Sequence, residues 1–363
     1  MGLACGIVGL PNIGKTSIFN AATGAGAERA SYAFSTIEPN VAEVDVPDER
    51  LEAIHRYVET NRIVPAKVRI VDVAGLAKGA SRGEGMGNRF LGHIKETDAL
   101  MQVVQCFERA DLGRESPVDP EGDIEILELE LALADLETVS RNAERVAKKA
   151  RAGDKEALFQ QELFARAQAL LADGVQLRTV GWKPEEEAAL RPLFLLTMKP
   201  QLYVANVGED DFAGGGPWAQ AVAEHAARVG ADWAAVCGDI ECELAAMDAA
   251  DRALFQAELG IRELALPRLL QKTYHLLGLQ TFFTAGEIEI KAWTVRRGEV
   301  APVAAGKIHS DFEKGFVRAE VYSVDDLVQC GSEAAIRQAG KLRIEGREYV
   351  MREGDVCHFL VNR

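Results

Sequence analysis

A glycine-rich loop between a predicted strand and a predicted helix constrains this chain more than any other feature of its sequence. Residues 9–16 are Gly-Leu-Pro-Asn-Ile-Gly-Lys-Thr, which fits the pattern GxxxxGK[ST]. The apolar run 3–10 predicts a buried strand, and a helix is expected to begin near Ser17. In this setting backbone amides surround phosphate groups, Lys15 adds a positive charge and the Thr16 hydroxyl can ligate Mg2+. The sequence therefore predicts a P-loop that binds nucleotide phosphates.

Short apolar runs alternate with helix-compatible segments over most of the first 240 residues. Such alternation is typical of a doubly wound α/β domain, in which strands and covering helices follow one another along the chain. The further strand-like runs lie at 41–46, 68–73, 99–106, 200–206 and 232–236.

Residues 123–192 interrupt this alternation because they contain no credible strand. We expect Asp123 to cap a helix that stops near Gly153, and Asp154 to start a second helix that stops near Gly174. The pair predicts a helical hairpin inserted in the α/β domain.

Four cations fall on one face of the first predicted helix. Two interpretations stay open for this face: a solvated surface favoured by the helix dipole, or a contact with a polyanion. The four residues are Arg141, Arg145, Lys148 and Lys149.

The sequence changes character again after residue 280, where β-branched, alternating runs at 287–295 and 343–351 are separated by glycines. This pattern indicates a separate α+β module. We therefore expect an α/β domain over 1–122 and 193–279, a helical insertion over 123–192 and a C-terminal module over 280–363.

Charge and composition exclude several classes of protein. Lys+Arg 41 against Asp+Glu 56 gives a net charge of −15, so a surface that binds polyanions along its whole length is excluded and no DNA specificity is expected. The longest uncharged runs, 1–14 and 273–286, are shorter than the about 18 residues of a membrane span. No signal-peptide pattern and no CxxC pair occur, so we expect reduced cysteines and a cytoplasmic protein without membrane contact.

A nucleotide switch needs a second metal contact and a sensor of the γ-phosphate, and the sequence offers candidates for both. Asp72 closes a predicted strand and begins the motif Asp-Val-Ala-Gly, so it can approach Mg2+ through water while the Gly75 amide meets the γ-phosphate. Thr36, in an earlier loop, is the natural second hydroxyl ligand. Together with Lys15, Thr36 and Gly75 are the candidate catalytic residues.

Leu76 stands where many GTPases place a glutamine that orients the attacking water. Because leucine has no polar atom for this task, another group must position the water. Three alternatives stay open: backbone groups of the loop 79–87, Asn12 assisted by a monovalent cation such as K+, or a partner.

The residues that would read the base depart from the guanine-specific pattern NKxD, because residues 206–209 are Asn-Val-Gly-Glu. Val207 lacks the lysine stem that covers the base, and the Glu209 carboxylate is displaced by one methylene. Asn206 can hydrogen-bond a purine and support the phosphate loop. Phe107 either covers the ring or belongs to the core. Strict guanine selectivity is therefore not expected.

Several long strings in the sequence resemble one known family. GLPNIGKTS, FSTIEPNVAEV, DVAGLAKGASRGEGMGNRFL and GDVCHFLVNR look like the YchF subfamily of Obg-like P-loop ATPases, and the resemblance runs from residue 2 to 363. It implies an Obg-type G domain, an inserted antiparallel helical hairpin and a C-terminal TGS domain. It also implies ATP preferred over GTP, Mg2+, slow turnover to ADP and phosphate, and association with the ribosome or RNA.

The resemblance also implies site residues by motif. It assigns the phosphates to residues 12–17, Mg2+ to Thr16 and Thr36, and adenine to Asn206 and Val207. With the candidates above, the expected nucleotide contacts are Asn12, Ile13, Gly14, Lys15, Thr16, Ser17, Asn206, Val207 and Glu209. The expected metal ligands are Thr16, Thr36 and Asp72.

The chain departs from the family pattern in the loop 108–117, which holds no histidine although many members carry one there; Arg114 stands near that position. Gly208 replaces a common acidic residue, and the phosphate loop ends Lys-Thr-Ser instead of Lys-Ser-Thr. The first hypothesis is an ATP-dependent switch. Its alternatives are a GTPase of the Obg class, and a ribosome- or RNA-binding adaptor with a structural nucleotide.

Overall fold

A computed structural model describes residues 2–24, 28–29, 40–73, 86–108, 117–212, 215–261 and 263–362. The chain divides into two compact units. The first unit comprises Met1–Glu43 and Arg69–Leu269, and the second comprises Val44–Val68 and Leu270–Arg363. The domain limits given above stay predictions.

The strands are β1 (Ala4–Val8), β2 (Glu28–Arg29), β3 (Asn40–Val46), β4 (Ile63–Val64), β5 (Ala66–Asp72), β6 (Ala99–Cys106), β7 (Gln201–Val207), β8 (Asp232–Val236), β9 (Leu279–Ala285), β10 (Ile290–Arg296), β11 (Phe316–Ser323), β12 (Arg343–Glu345) and β13 (Asp355–Val361). The helices are α1 (Lys15–Gly24), α2 (Glu49–His55), α3 (Met86–Lys95), α4 (Pro120–Arg151), α5 (Lys155–Ala172), α6 (Pro184–Leu190), α7 (Gly216–Arg228), α8 (Gly238–Ala246), α9 (Ala249–Glu258), α10 (Ala265–Leu276), α11 (Ala301–Ile308), α12 (Ser310–Gly315), α13 (Val324–Cys330) and α14 (Glu333–Gln338).

The sheet of the first unit has the strand order β2-β3-β5-β1-β6-β7-β8 within the described residues. β1 pairs in parallel with β5 and β6, and β7 pairs in parallel with β6 and β8. Every residue of β6 and β7 is buried, which explains their nearly continuous apolar sequences. The predicted α/β fold is confirmed, and the strands predicted at 99–106 and 232–236 agree residue for residue.

The long helix of the insertion begins earlier than expected, and the prediction that Asp123 caps it is wrong. The cap is Asp119, whose side chain accepts a hydrogen bond from the Gly122 amide at 3.1 Å. Pro120 follows in the first turn, where its missing N–H costs nothing and its fixed φ suits a helix. Asp123 lies within the first turn and is buried.

The inserted hairpin itself is confirmed. Asp154 caps α5 by accepting from the Ala157 amide at 2.9 Å, and no strand lies within 117–200, all of which is described. α4 and α5 share a hydrophobic cluster that includes Val139, Leu163 and Phe164. None of the helices in the described ranges, long α4 included, is apolar enough over its length to cross a membrane.

A buried carboxylate on α4 holds the segment that leads from the insertion back to β7. Asp135, on α4, is fully buried and accepts hydrogen bonds from the Leu196 amide at 2.9 Å, the Thr197 amide at 2.7 Å and the Thr197 hydroxyl at 2.6 Å. Burial raises the pKa of Asp135, although these three bonds favour its charged form.

A polar network connects the same helix with β7. Glu128 Oε1 accepts hydrogen bonds from Arg178 at 2.8 Å and from the Tyr203 hydroxyl at 2.5 Å, and His225 Nε2 lies 3.7 Å away. Burial alone would raise the pKa of Glu128, but the polar contacts with His225 and Tyr203 and the charge of Arg178 outweigh it and hold the pKa below its usual value.

The sheet of the second unit has the order β12-β11-β13-β9-β10-β4 in the part of the chain that the structure describes. The predicted α+β module is confirmed, but its strands differ from expectation. The run predicted at 287–295 forms β10, and only the first three residues of 343–351 form a strand. β9 and β13 lie in segments for which no strand was predicted.

The segment between β3 and β5 belongs to this second unit. Its short strand β4 pairs in parallel with β10, and its helix α2 carries Arg50. The guanidinium of Arg50 lies 5.0 Å from the ring centroid of Phe283 and 2.6 Å from the Glu353 carboxylate. Residues 44–68 therefore complete the fold of the C-terminal module.

Candidate functional site

The P-loop connects β1 to the start of α1 and has an unusual backbone. Asn12 and Gly14 have φ angles of 61° and 88°, and Gly9 has 151°. A Cβ atom at Gly9 would lie 2.6 Å from the Val103 carbonyl oxygen, so only glycine fits there. The helix begins at Lys15 instead of near Ser17, and its first amides lie at the end of the loop, where a helix favours anions.

Lys15 is buried in this loop, with 6% of its surface exposed. Its ammonium group donates a hydrogen bond to the Leu10 carbonyl oxygen. Burial lowers the pKa of Lys15 to about 8, although the negative charge of Asp72 acts in the opposite direction. A buried cation compensated mainly by a neutral carbonyl favours the approach of an anionic group such as a phosphate.

Thr16 and Asp72 lie together, as the sequence predicted. The Thr16 hydroxyl donates to Asp72 Oδ2 at 3.2 Å. Burial raises the pKa of Asp72, whereas hydrogen bonds from Thr16 and Asn40 and the charge of Lys15 favour its charged form. A hydroxyl and a carboxylate oxygen at this distance are donors that suit a hard cation such as Mg2+.

Asn206, the penultimate residue of β7, connects the P-loop to the opposite side of the site. Its side-chain amide donates to the Ile13 carbonyl oxygen at 2.8 Å, and its Oδ1 accepts from the Gly238 amide at 3.0 Å. Asn206 is 4% exposed, so both bonds are shielded from water. A Cβ atom at Gly14 would lie 2.2 Å from Asn206 Nδ2, which explains why glycine is required there.

The other residues predicted to contact the base come directly after Asn206 in the chain or lie at the end of the neighbouring strand. Val207 is buried as the last residue of β7, and Glu209 is exposed in a one-turn 3-10 helix, Glu209–Asp211. Phe107, after β6, is half-buried, and a Cβ atom added at Gly208 would lie 3.4 Å from its Cβ. These residues lie at the carboxyl ends of neighbouring parallel strands, where ligands of α/β sheets bind.

Two members of this site were not predicted from the sequence. Gly238, at the start of α8, was not recognised as the partner of Asn206. The available signal was a glycine two residues after the strand predicted at 232–236. Asn40, which hydrogen-bonds Asp72, follows closely the predicted ligand Thr36 and was not singled out.

Several predicted residues lie outside the described residues. They are Thr36, Gly75, Leu76, the positions 79–85 and Arg114.

His309 caps a helix of the second unit. His309 Nδ1 accepts from the Asp311 amide at 3.2 Å at the start of α12. Among the described residues, no group of three or more His, Cys, Asp or Glu side chains could hold a metal ion.

The fold and the site define a P-loop nucleotide hydrolase of the GTPase type with a helical insertion in its α/β domain and an α+β module at its C-terminus. Residues 4–144 match a family model described as "50S ribosome-binding GTPase". Residues 279–362 match the model YchF-GTPase_C, which is described as a protein of unknown function.

Relatives match over the whole chain. The Ribosome-binding ATPase YchF of Haemophilus influenzae is 47% identical, and that of Bacillus subtilis is 46% identical, each over 100% of both chains. The Obg-like ATPase 1 of Pongo abelii is 38% identical over 99% of this chain and 92% of its own. A solved structure of the Schizosaccharomyces pombe YchF GTPase superposes with a TM-score of 0.86 at 35% identity, covering 99% of this chain and 97% of that chain. The chain belongs to the YchF family of Obg-like P-loop proteins.

Proposed function

We propose that this chain is a Mg2+-dependent ATPase that acts as a nucleotide-controlled switch. It binds ATP in preference to GTP and hydrolyses it slowly to ADP and phosphate. The observation that carries the proposal is the position of Asn206, which is buried between the P-loop and α8 at the end of the strand that would contact the base. The phosphate loop and the base site are thereby connected through one side chain.

In this proposal residues 12–17 surround the phosphates, and the Lys15 ammonium contacts their outer oxygens. Thr16, Thr36 and Asp72 would hold Mg2+, directly or through water. Mg2+, when bound, neutralises charge that develops on the phosphate oxygens during transfer. The Gly75 amide meets the γ-phosphate, so Lys15, Thr36 and Gly75 act on the reacting group.

Slow turnover follows from the residue at position 76. Leucine cannot orient water through a side-chain hydrogen bond, and the loop 108–117 supplies no histidine in its place. Water is then positioned by backbone groups of the loop 79–87, by Asn12 with K+, or by a partner. If Asn12 positions the water together with K+, replacing K+ with Na+ should lower the hydrolysis rate of the wild type. The rate of the variant Asn12→Ala should then not respond to this exchange.

ATP preference is supported by the residues that follow β7. Val207 is buried and carries no stem to cover a base, and Glu209 is exposed in its short turn. Asn206 and Val207 would then border adenine, with Glu209 at the rim. The names of the relatives differ in the nucleotide that they specify, since both ATPases and a GTPase occur among them.

Calorimetry with ATP, ADP and GTP in the presence of Mg2+ tests the proposal. We expect ATP to bind at least tenfold more tightly than GTP, which corresponds to about 1.4 kcal/mol. Tighter binding of GTP would overturn the assignment and indicate that Glu209 or another carboxylate reads guanine. Lys15→Ala should abolish binding of both nucleotides, whereas the exposed Lys155→Ala serves as the matched control.

Association with the ribosome, and thus a cytoplasmic location, is also proposed. It is supported by the names of the relatives and by the exposed cationic face on α4, where Arg141 is paired only loosely with Glu137 at 3.7 Å. Cosedimentation with ribosomes should depend on whether ATP, ADP or no nucleotide is present, and equal binding in all three would favour an adaptor. For RNA, replacing the four cations with alanine should flatten the salt dependence of binding, and an unchanged slope would indicate ordinary solvation. The four residues are Arg141, Arg145, Lys148 and Lys149.

A further inference from the structure

The second unit contains a cavity of about 790 Å³ that the nucleotide site does not involve. Three elements of this unit line it: the end of α2 with the residues up to 61, the turn between β9 and β10, and residues at the end of β11 and the start of α14. The volume lies within the range of small-molecule and side-chain binding sites.

Backbone hydrogen bonds hold two of these walls together. The Asn61 amide donates to the Glu287 carbonyl oxygen at 3.0 Å, and the Ile290 amide donates to the Arg62 carbonyl oxygen at 2.9 Å. Tyr57, on the first wall, places its hydroxyl 3.5 Å from the carbonyl oxygen of Val328, which lies on α13 outside the lining. The cavity is therefore formed by connected backbone segments.

The lining of the cavity is acidic. It contains three glutamates, Glu59, Glu287 and Glu333, against one histidine, His55, and neither lysine nor arginine. Glu333 contacts Arg337 at 3.3 Å, and that guanidinium also contacts another carboxylate, Glu320, at 3.2 Å. Glu59 and Glu287 are exposed and form no ion pair with any residue that the structure describes. Within the described residues, no neighbouring cation therefore compensates these two carboxylates.

A largely buried tyrosine in the lining supports a ligand site independently of the carboxylates. Tyr322 lines the cavity although only 6% of its surface is exposed. Its hydroxyl makes no hydrogen bond to any group in the described part of the chain, and it is not closed off from solvent. The hydroxyl of Tyr322 is therefore available to a polar group that enters the cavity.

We propose that this cavity binds aliphatic ammonium groups, such as the side chains of a lysine-rich polypeptide segment or the amines of a polyamine. Glu59 and Glu287 supply the negative charge, and the Tyr322 hydroxyl accepts a hydrogen bond from the ammonium group. Ile288, 81% exposed in the turn beside Glu287, offers an apolar contact for the methylene stem.

Fluorescence anisotropy with a labelled hexalysine peptide tests the proposal on the full chain. The paired substitution Glu59→Gln/Glu287→Gln should weaken binding at least tenfold. The pair Glu162→Gln/Glu258→Gln, exposed residues of the first unit, removes the same charge and should change binding less than twofold. Tyr322→Phe, which keeps the ring, should weaken binding severalfold without altering the melting temperature.

Equal loss of affinity in both paired variants would overturn the proposal, because the peptide would then respond only to the net charge of the protein. Absence of binding to the wild type at 0.1 M salt would overturn it as well. Competition with spermidine identifies the source of the ammonium groups. Displacement of the peptide supports a polyamine site, and binding of hexalysine that spermidine does not displace supports a site for basic polypeptide segments.

Discussion

Replacing Asn206 with alanine tests whether one buried side chain holds the phosphate loop in shape. The substitution leaves the Ile13 carbonyl oxygen and the Gly238 amide, which Asn206 contacts at 2.8 and 3.0 Å, without their side-chain partner. Each buried polar group that loses its partner costs about 1–3 kcal/mol. The free energy of unfolding of the first unit should therefore fall by about 2–6 kcal/mol, as measured by urea denaturation.

The same substitution should weaken the binding of a ligand that has no base. Because the bond to Ile13 helps to hold the loop in its binding conformation, we expect affinity for inorganic tripolyphosphate to fall about tenfold, or ~1.4 kcal/mol. ATP affinity should fall at least as much, since Asn206 is also proposed to border adenine. Calorimetry with both ligands separates the two roles.

Asn142→Ala is the matched control for this experiment. Asn142 is half-buried on α4, and its amide donates to one helix carbonyl, that of Thr138, at 2.8 Å. Its loss should cost less than about 1 kcal/mol and leave ligand binding unchanged. If Asn206→Ala binds tripolyphosphate as tightly as the wild type, the argument that Asn206 supports the loop is refuted.

Three further substitutions test the phosphate loop and the polar contacts of the insertion. Gly14→Ala should weaken ATP binding at least tenfold, measured by calorimetry, because its Cβ atom would lie 2.2 Å from the Asn206 side-chain nitrogen. Asp135→Ala should lower the free energy of unfolding by about 3–5 kcal/mol in urea, because it removes a buried acceptor of three hydrogen bonds. Glu128→Gln should cost about 3 kcal/mol at pH 7. Because the pKa of Glu128 is lowered in the folded protein, its charge contributes stability above the ordinary value of 4.5, and the deficit of the variant should shrink as the pH falls below 4.5.

Each of these predictions has its own control. Gly153→Ala introduces a side chain at a similar φ of 83° but into open space, so ATP binding should stay unchanged. An equal effect of both glycine variants on affinity would argue against the clash. The exposed Glu137→Gln on α4 should leave stability nearly unchanged, in contrast to Asp135→Ala. For Glu128→Gln, a deficit that stays constant while the pH falls from 4.5 through the lowered pKa of Glu128 would contradict the inferred role of the charge.

Local patterns in the sequence were sufficient to predict much of the first unit. The P-loop and strand β6 follow from residues that are neighbours in the chain, and the pairing of Thr16 with Asp72 follows from two motifs in one fold. The bonds of Asn206 could be foreseen only in part, because its partners lie 193 and 32 residues away. Such contacts depend on strand order, which periodicity does not specify.

The same patterns could not predict which segments of the chain build the second unit. β4 has two residues, too few for an alternating pattern, and it pairs with a strand more than 200 positions later in the chain. The helix cap was misplaced for a different reason, since both Asp119 and Asp123 are acceptable caps and only the proline after Asp119 favours the earlier start.

The position of residues 44–68 in the chain limits how the two units can be separated, both in evolution and in protein engineering. Because α2 and β4 are encoded between strands of the first unit, no single cut in the gene separates the two units. A fragment that begins at 280 would lack the strand that pairs with β10 and the cation that covers Phe283. Fusing residues 280–363 to another protein would therefore give an incomplete C-terminal module. To keep both units intact, a gene rearrangement must carry them together.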